Sequence, residues 1–383
     1  MQKSLPKEKV VQVYEKLFAG QDITSGRAEF WDEFFLLRVN VKVLLSYFDK
    51  VSLTRIVDLK MHLNRLYNEC LQKALNTSHW QRIANALQTS DCLMLGAFRV
   101  KNLNIPPADK LKFLIPSERS ESAKVEYLKL CTTSFAKDWP PLLQELVIES
   151  LLIRCILSDN VNDNPIFDWL LDENLFELLG TLISNTCLRQ RFAVGACRLL
   201  GIISQYRWKE INNLFLMKLA QVKDEILLNS ISAVISFTIS ESTRKYNEYV
   251  QASGGLLSSI SSMEISALSS TPRVVVYTLT LVNGRGSCNV LDGLLLCLYV
   301  IIRQNPRFPS LFSCSHTHID THQQNRGASI GQLNEYGDGE LGPPLDPRNL
   351  MADLIEFASV VMQGIKDSKF SSVHWISPVK REY

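Results

Sequence analysis

The sequence has almost no excess of charge of one sign: 41 lysines and arginines face 39 aspartates and glutamates over 383 residues, a formal net charge of +2. That balance excludes a molecule whose overall field is directed at nucleic acid or acidic lipid, so any such contact has to be local. Long hydrophobic runs are missing as well. The longest, "VLDGLLLCLYVII" at 290–302, contains Asp292 and Gly293 and falls short of the roughly 20 residues of a membrane-spanning helix, so it reads as a buried core helix. The start, "MQKSLPKEKVVQVYEKLF", mixes lysine and glutamate without a continuous apolar core, unlike a signal peptide. The nine cysteines are odd in number and lack tight spacing. Most sit in apolar helical stripes, as Cys155 does in "LLIRCIL", where a thiol acts as a small hydrophobe; this points to a reducing compartment.

What is present is hydrophobic residue at helical spacing, 46% of the chain being hydrophobic. The segment 7–18 places Val10, Val13, Tyr14, Leu17 and Phe18 on one face. Ser25 is a candidate cap for a second helix running through "FWDEFFLLRV" to Val39, with Asp32 and Glu33 early in it, where the helix dipole favours acids. Further helices are expected at 53–75 and 79–98. The tract 99–122, with three prolines, reads as a long loop carrying one short helix. Six helices follow, at 124–137, 140–157, 166–183, 188–206, 211–219 and 224–249. From 140 onward their starts lie twenty-odd residues apart, so two helices make a unit near the roughly 40–47 residues of HEAT and armadillo arrays. The expected fold is therefore all-α, an armadillo/HEAT-like α-solenoid of stacked helix pairs. No sequence motif repeats with the helices, and a plain bundle has a similar period; broad apolar faces such as "LLQELVIESLLIRCIL" favour the stack.

The domain reading is thus solenoid helices over 1–99, a loop over 100–122 and regular helix pairs over 123–250. An atypical linker or inserted segment follows over 251–289, then a helix over 290–304, a disordered loop over 305–347, a C-terminal helix over 348–367 and a tail over 368–383. Within the linker, "RVVVYTLTLVNGRG" at 273–286 reads as a strand ending in an Asn-Gly turn.

Candidate chemistry is sparse. "CSHTHIDTH" at 314–322 gathers Cys314, His316, His318 and His322. His318 and His322 have the H-x3-H spacing of a zinc-finger half-site, but no C-x2-C or C-x4-C pair precedes them. Glu145 with Glu149, and Asp168 with Asp172, stand one helical turn apart and read as metal-facing carboxylate pairs or as a solvated face. "NGRG" is too short for a phosphate loop. Arg189, Arg191, Arg198, Arg207 and Lys209 form either a local basic ridge or ordinary charges on exposed helix faces. Gly254 to Leu268, "GGLLSSISSMEISAL", is either a weak interfacial helix or a linker helix docked on the solenoid. No catalytic, cofactor-binding or metal-binding residues are assigned, no cofactor is implied, and the expectation is a protein that is not an enzyme.

Several long blocks carry a resemblance. "PKEKVVQVYEKLF", "FWDEFFLLRVNVKVL", "RIANALQT", "LNSISAVISFTISESTRKYNEY", "GLLSSISSM" and "NLMADLIEFASVVMQGIKD" are similar, in this order, to the armadillo-like helical domain-containing protein 3 family. The match spans 6–367 with gaps and resembles an N-terminal portion of proteins about twice this length. It departs from the family at 273–286 and at the end, "SKFSSVHWISPVKREY", consistent with retained or misjoined coding sequence. The resemblance implies a non-enzymatic, cytoplasmic, Golgi-associated adaptor in Golgi organisation and secretion. Its implied partners are phosphatidylinositol 4-kinase beta and the large Golgi guanine-nucleotide exchange factor for Arf GTPases. Peripheral contact with Golgi membrane through 254–268 is the alternative to a linker helix docked on the solenoid, and nucleic acid is not expected.

Overall fold

The computed structural model describes residues 8–100, 105–136, 139–157, 164–207, 213–252, 290–310 and 350–366. Among them every regular element is helical. In chain order these are α1 (Lys9–Phe18), α2 (Phe30–Phe34), α3 (Val41–Lys50), α4 (Leu53–Asp58), α5 (Lys60–Asn76), α6 (Trp80–Arg99), α7 (Pro107–Leu111) and α8 (Ser120–Ala136). They continue as α9 (Pro141–Cys155), α10 (Pro165–Leu170), α11 (Glu173–Ser184), α12 (Thr186–Gln205), α13 (Leu214–Gln221), α14 (Glu225–Ala252), α15 (Val290–Gln304) and α16 (Leu350–Lys366).

Side-chain caps cut the chain into these pieces. Asn40, Ser52, Asn164, Asp172, Asn185 and Asn213 each accept from backbone N–H groups of the first turn they precede, satisfying donors that a helix start leaves orphaned. Pro107, Pro141 and Pro165 stand at first helical positions, where a missing N–H costs nothing.

The helices form two rows. α5, α8, α11, α14 and α16 follow one another in the first; α3, α6, α9, α12 and α15 do so in the second; and α5–α6, α8–α9, α11–α12 and α14–α15 bridge the rows. This is the stacked-pair solenoid expected from helix spacing. Two crossings from the first row to the second are short, 77–79 between α5 and α6 and Asn185 alone between α11 and α12, whereas the returns from α6, α9 and α12 carry α7, α10 and α13. α14 is long and apolar enough to cross a membrane by length and composition, but it packs among α11, α12, α15 and α16 with Leu228, Ile231, Ile235 and Ile239 buried. It is a helix of the array.

The N-terminal end departs from the sequence reading. The helix expected to run from Ser25 to Val39 is the five-residue α2, preceded by Glu29, which makes no side-chain cap. Ser25 sits in a turn at φ 48 instead, because Asp22 accepts from the Thr24 amide and hydroxyl and folds the chain back before it. Phe30, Trp31, Phe34 and Phe35 then stack into an aromatic cluster, and the Asn85 amide donates to the Phe35 carbonyl at 2.9 Å, pinning the cluster to α6. The expected helix 53–75 is two, broken at the fully buried Leu59. The expected helix 166–183 is also two, because Asp172 caps α11. The proline tract is more ordered than a loop: Pro107 starts α7, Pro116 starts a 3-10 turn at Ser117–Arg119, and Leu111, Phe113, Leu114 and Ile115 are buried. The strand-like 273–286, the segment Gly254 to Leu268, the histidine-rich 314–322 and the tail 368–383 lie outside the described residues.

In the middle of the second row, α6 and α9 are buried on nearly all faces. Every residue of α9 from Leu146 to Cys155 is buried, the pattern of a helix enclosed by neighbours. Small residues let helices of this row approach. A Cβ on Gly201 of α12 would stand 2.6 Å from the Cys297 amide nitrogen and 2.7 Å from the Gly293 carbonyl oxygen of α15, and backbone atoms cannot rotate away. Gly201→Ala is therefore expected to cost about 1–3 kcal/mol through overpacking. Gly180→Ala on α11, whose nearest neighbour is a Leu227 methyl at 3.7 Å, stays neutral or gains up to about 1 kcal/mol of helix propensity. Thermal unfolding followed by circular dichroism separates the two, and equal effects would contradict the close α12–α15 contact.

Candidate docking edge and its buried polar support

Polar side chains on fully enclosed helices need partners, since an unpaired buried polar group costs free energy that an exposed one does not. Arg154 of α9 is completely buried and pairs with Asp91 of α6, whose side chain is 2% exposed. The same guanidinium nitrogen donates to the Ser150 carbonyl at 3.2 Å and to the Ser150 hydroxyl at 2.5 Å, and the second one reaches the Ser90 hydroxyl at 3.4 Å. Ser150 donates to Asp91 at 2.8 Å and lies 3.1 Å from the Tyr127 hydroxyl. The Tyr127 ring of α8 lies under the guanidinium at 3.8 Å, a cation–π contact. Burial pushes the Asp91 carboxyl up, and Arg154 and Ser150 pull it back. Burial works against the Arg154 charge too, but Tyr127, Asp91 and Tyr67 outweigh it. One arginine thus joins α6, α8 and α9 across both rows.

A second polar junction links α9 to α12. Glu145 pairs with Arg191 near the surface, while Glu149, one turn further on, is buried facing Arg198. Burial raises the Glu149 carboxyl to about 7, with Arg198 opposing the shift and Glu145 adding to it.

The outward product of this packing is an apolar edge on the side of the short crossings. Trp80 opens α6 and is 41% exposed; its ring meets that of the buried Trp139 edge-on at 5.9 Å between centroids. Leu142, in the first turn of α9, is 54% exposed. The Gln81 amide donates to the Leu36 carbonyl at 2.9 Å, bringing exposed Leu36 to the same end of α6. Aromatic anchors of this kind dominate protein interfaces, because a large rigid surface is buried at low entropic cost. Helix spacing alone conceals the edge; its signals are the tryptophans of "SHWQ" and "DWPP", which stand at or just before helix starts.

The sequence candidates are placed elsewhere. Glu145 and Glu149 answer to Arg191 and Arg198 rather than to a common point. Asp172 caps α11, and Asp168 accepts from the Tyr206 hydroxyl at 3.2 Å, so that pair does not converge either. The basic ridge is not formed: Arg198 is buried, Arg189 donates to Ser230 at 2.8 Å, Arg191 pairs with Glu145, and Arg207 lies over Tyr206. Lys209 lies outside the described residues. Among the described residues no three His, Cys, Asp or Glu side chains gather as a metal site, and Cys187 is the exposed cysteine among six buried ones.

Comparison with known proteins follows the fold. The chain is similar to armadillo-like helical domain-containing protein 3 along nearly its whole length. It is 28% identical to the protein of that name from Danio rerio over 377 residues, covering 94% of this chain and 53% of the relative. The Xenopus laevis and Homo sapiens proteins of the same name are 26% and 25% identical, with the same coverage. The chain therefore spans about half the length of the curated relatives it matches. No family model matches, and no solved structure matches. The similarity and the two-row array agree on a helical-repeat scaffold of the protein-binding kind.

Glu149 provides a pH test of the second junction. Its raised carboxyl contributes stability that is fully present below the ordinary value of 4.5 and is lost as pH rises through about 7. The loss is about 3 kcal/mol on complete ionisation. Glu149→Gln should therefore melt with the parent chain near pH 5 and above it at pH 8. A lower melting temperature for the variant at pH 8 would mean that the ionised Glu149–Arg198 pair stabilises the fold.

Proposed function

We propose that this chain is a non-catalytic adaptor at the cytoplasmic face of the Golgi, where it binds a phosphatidylinositol 4-kinase of the beta type and the large Arf guanine-nucleotide exchange factor and thereby serves Golgi organisation and secretion. The observation that carries the adaptor reading is the exposed Trp80–Leu142–Leu36 edge, held rigid by Trp139 and by the buried network behind α6 and α9. Stacked helical arrays present long surfaces of this kind to other proteins. The two partners, the peripheral membrane contact and the location rest on resemblance to the family.

Binding of the purified kinase and exchange factor to the immobilised full chain, read by biolayer interferometry, tests the reading. Replacing Trp80 with alanine and Leu142 with serine together should weaken whichever partner uses the edge by about 30-fold or more, in keeping with the loss of an interface hot spot, and leave the melting temperature within a few degrees. Unchanged affinity would move docking to another face. Absence of binding by either partner would leave a helical-repeat module with an unrelated partner.

A further inference from the structure

α15 closes the second row among the described residues, and its contact with α12 brings two thiols together. Cys197 is fully buried and Cys297 is 1% exposed, and the Cys297 side chain is the main influence that holds the Cys197 thiol up. Gly201, one turn beyond Cys197, presses against the backbone of Cys297 itself. On α15, the Gly293 site abuts Arg198, the neighbour of Cys197. A Cβ at Gly201 would also stand 3.0 Å from the Cys297 Cα, and helices whose backbones touch in this way suit a disulfide, whose Cα atoms stand about 4.4–6.8 Å apart.

We propose that Cys197 and Cys297 form a latent disulfide site, oxidised by a low-molecular-weight disulfide of the glutathione class, which covalently fastens α15 to the array. In the first step the thiolate of one cysteine attacks a sulfur of the oxidant, the oxidant's S–S bond breaks, and one small thiol leaves. In the second, the other thiolate attacks the mixed disulfide and expels the second small thiol. Two electrons and two protons pass from the protein to the oxidant, and one protein S–S bond forms.

Access governs the rate. Contact with Cys297 and burial hold the Cys197 thiol well above the ordinary range, so reaction requires α15 to open and a proton to leave. Among the described residues α15 has one row neighbour, α12, and a helix packed against a neighbour on one side opens more readily than one enclosed on both. Once formed, the bond closes a loop of about 100 residues, which restricts the unfolded chain.

The reduced full chain, incubated with excess oxidised glutathione in native buffer and analysed by intact mass and peptide mapping, provides the test. The expected result, beyond the glutathione adduct at Cys187, is a further loss of two hydrogens, with the Cys197 peptide joined to the Cys297 peptide. The rate should rise about tenfold from pH 7 to pH 8 as the thiolate fraction grows, and the oxidised chain should melt at a higher temperature. Exposed Cys187 acts as an internal control, forming a mixed disulfide quickly. Cys297→Ala should abolish the cross-link and the melting shift. Reaction at Cys187 alone, with Cys197 and Cys297 still alkylated after unfolding, overturns the proposal. So does a cross-link that forms only in denaturant together with other pairings.

Discussion

Asp91 and Arg154 meet where neither is exposed to solvent, and the arrangement of the central helices depends on that meeting. Enclosing α6 and α9 on nearly all faces gives the array its continuous core, but apolar burial is non-directional and does not fix how one helix sits along another. A buried charge pair does, because sliding either helix by a turn would strand an ion among leucines. Ser150, Ser90 and the Tyr127 ring complete the set. Such pairs often add little net stability over a well-packed apolar substitute. What this one contributes is register, linking α6 and α9 to each other and, through Tyr127, to α8 in the opposite row.

The same logic recurs at the next junction with weaker means. Glu149 and Arg198 face each other between α9 and α12, and beyond them α12 meets α15 through glycine and cysteine rather than through charge. Along the second row the polar content of the junctions falls, from a buried ion pair held by several hydrogen bonds, to a carboxylate whose ionisation is resisted, to close contact at glycine and cysteine. The rigid end carries Trp80 and Leu142 on the ends of the helices that the Asp91–Arg154 pair locks together, so an incoming partner meets a surface already ordered and loses little entropy in using it.

Helix identity and the stacked-pair architecture were legible because apolar spacing and regular helix starts are local signals. Where the reading failed, a tertiary contact had overruled a local one. The stretch from Ser25 to Val39 has the composition of one amphipathic helix, yet its aromatics are spent on a cluster pinned by Asn85, and Asn40 then begins α3. Leu59, fully buried, separates α4 from α5 inside a periodic segment. Among candidate site residues, Glu145, Glu149, Arg191 and Arg198 were visible as charges at helical spacing. Their pairing across 46 residues of sequence in the case of Arg191 and Glu145 is not a property of either helix alone. Trp80 and Trp139 were hidden for the same reason, since fifty-eight intervening residues separate partners that meet only when α6 and α9 lie side by side.

A double-mutant cycle between Asp91 and Arg154, with Asp91→Leu, Arg154→Met and the two together, tests the central claim most directly when each variant is unfolded in urea. If the pair sets the register of α6 on α9, each single change strands a buried charge and costs about 3–5 kcal/mol, while the double variant recovers much of that stability. Additive losses, with the double variant as unstable as the sum of the singles, would contradict a coupled pair at the centre of the array.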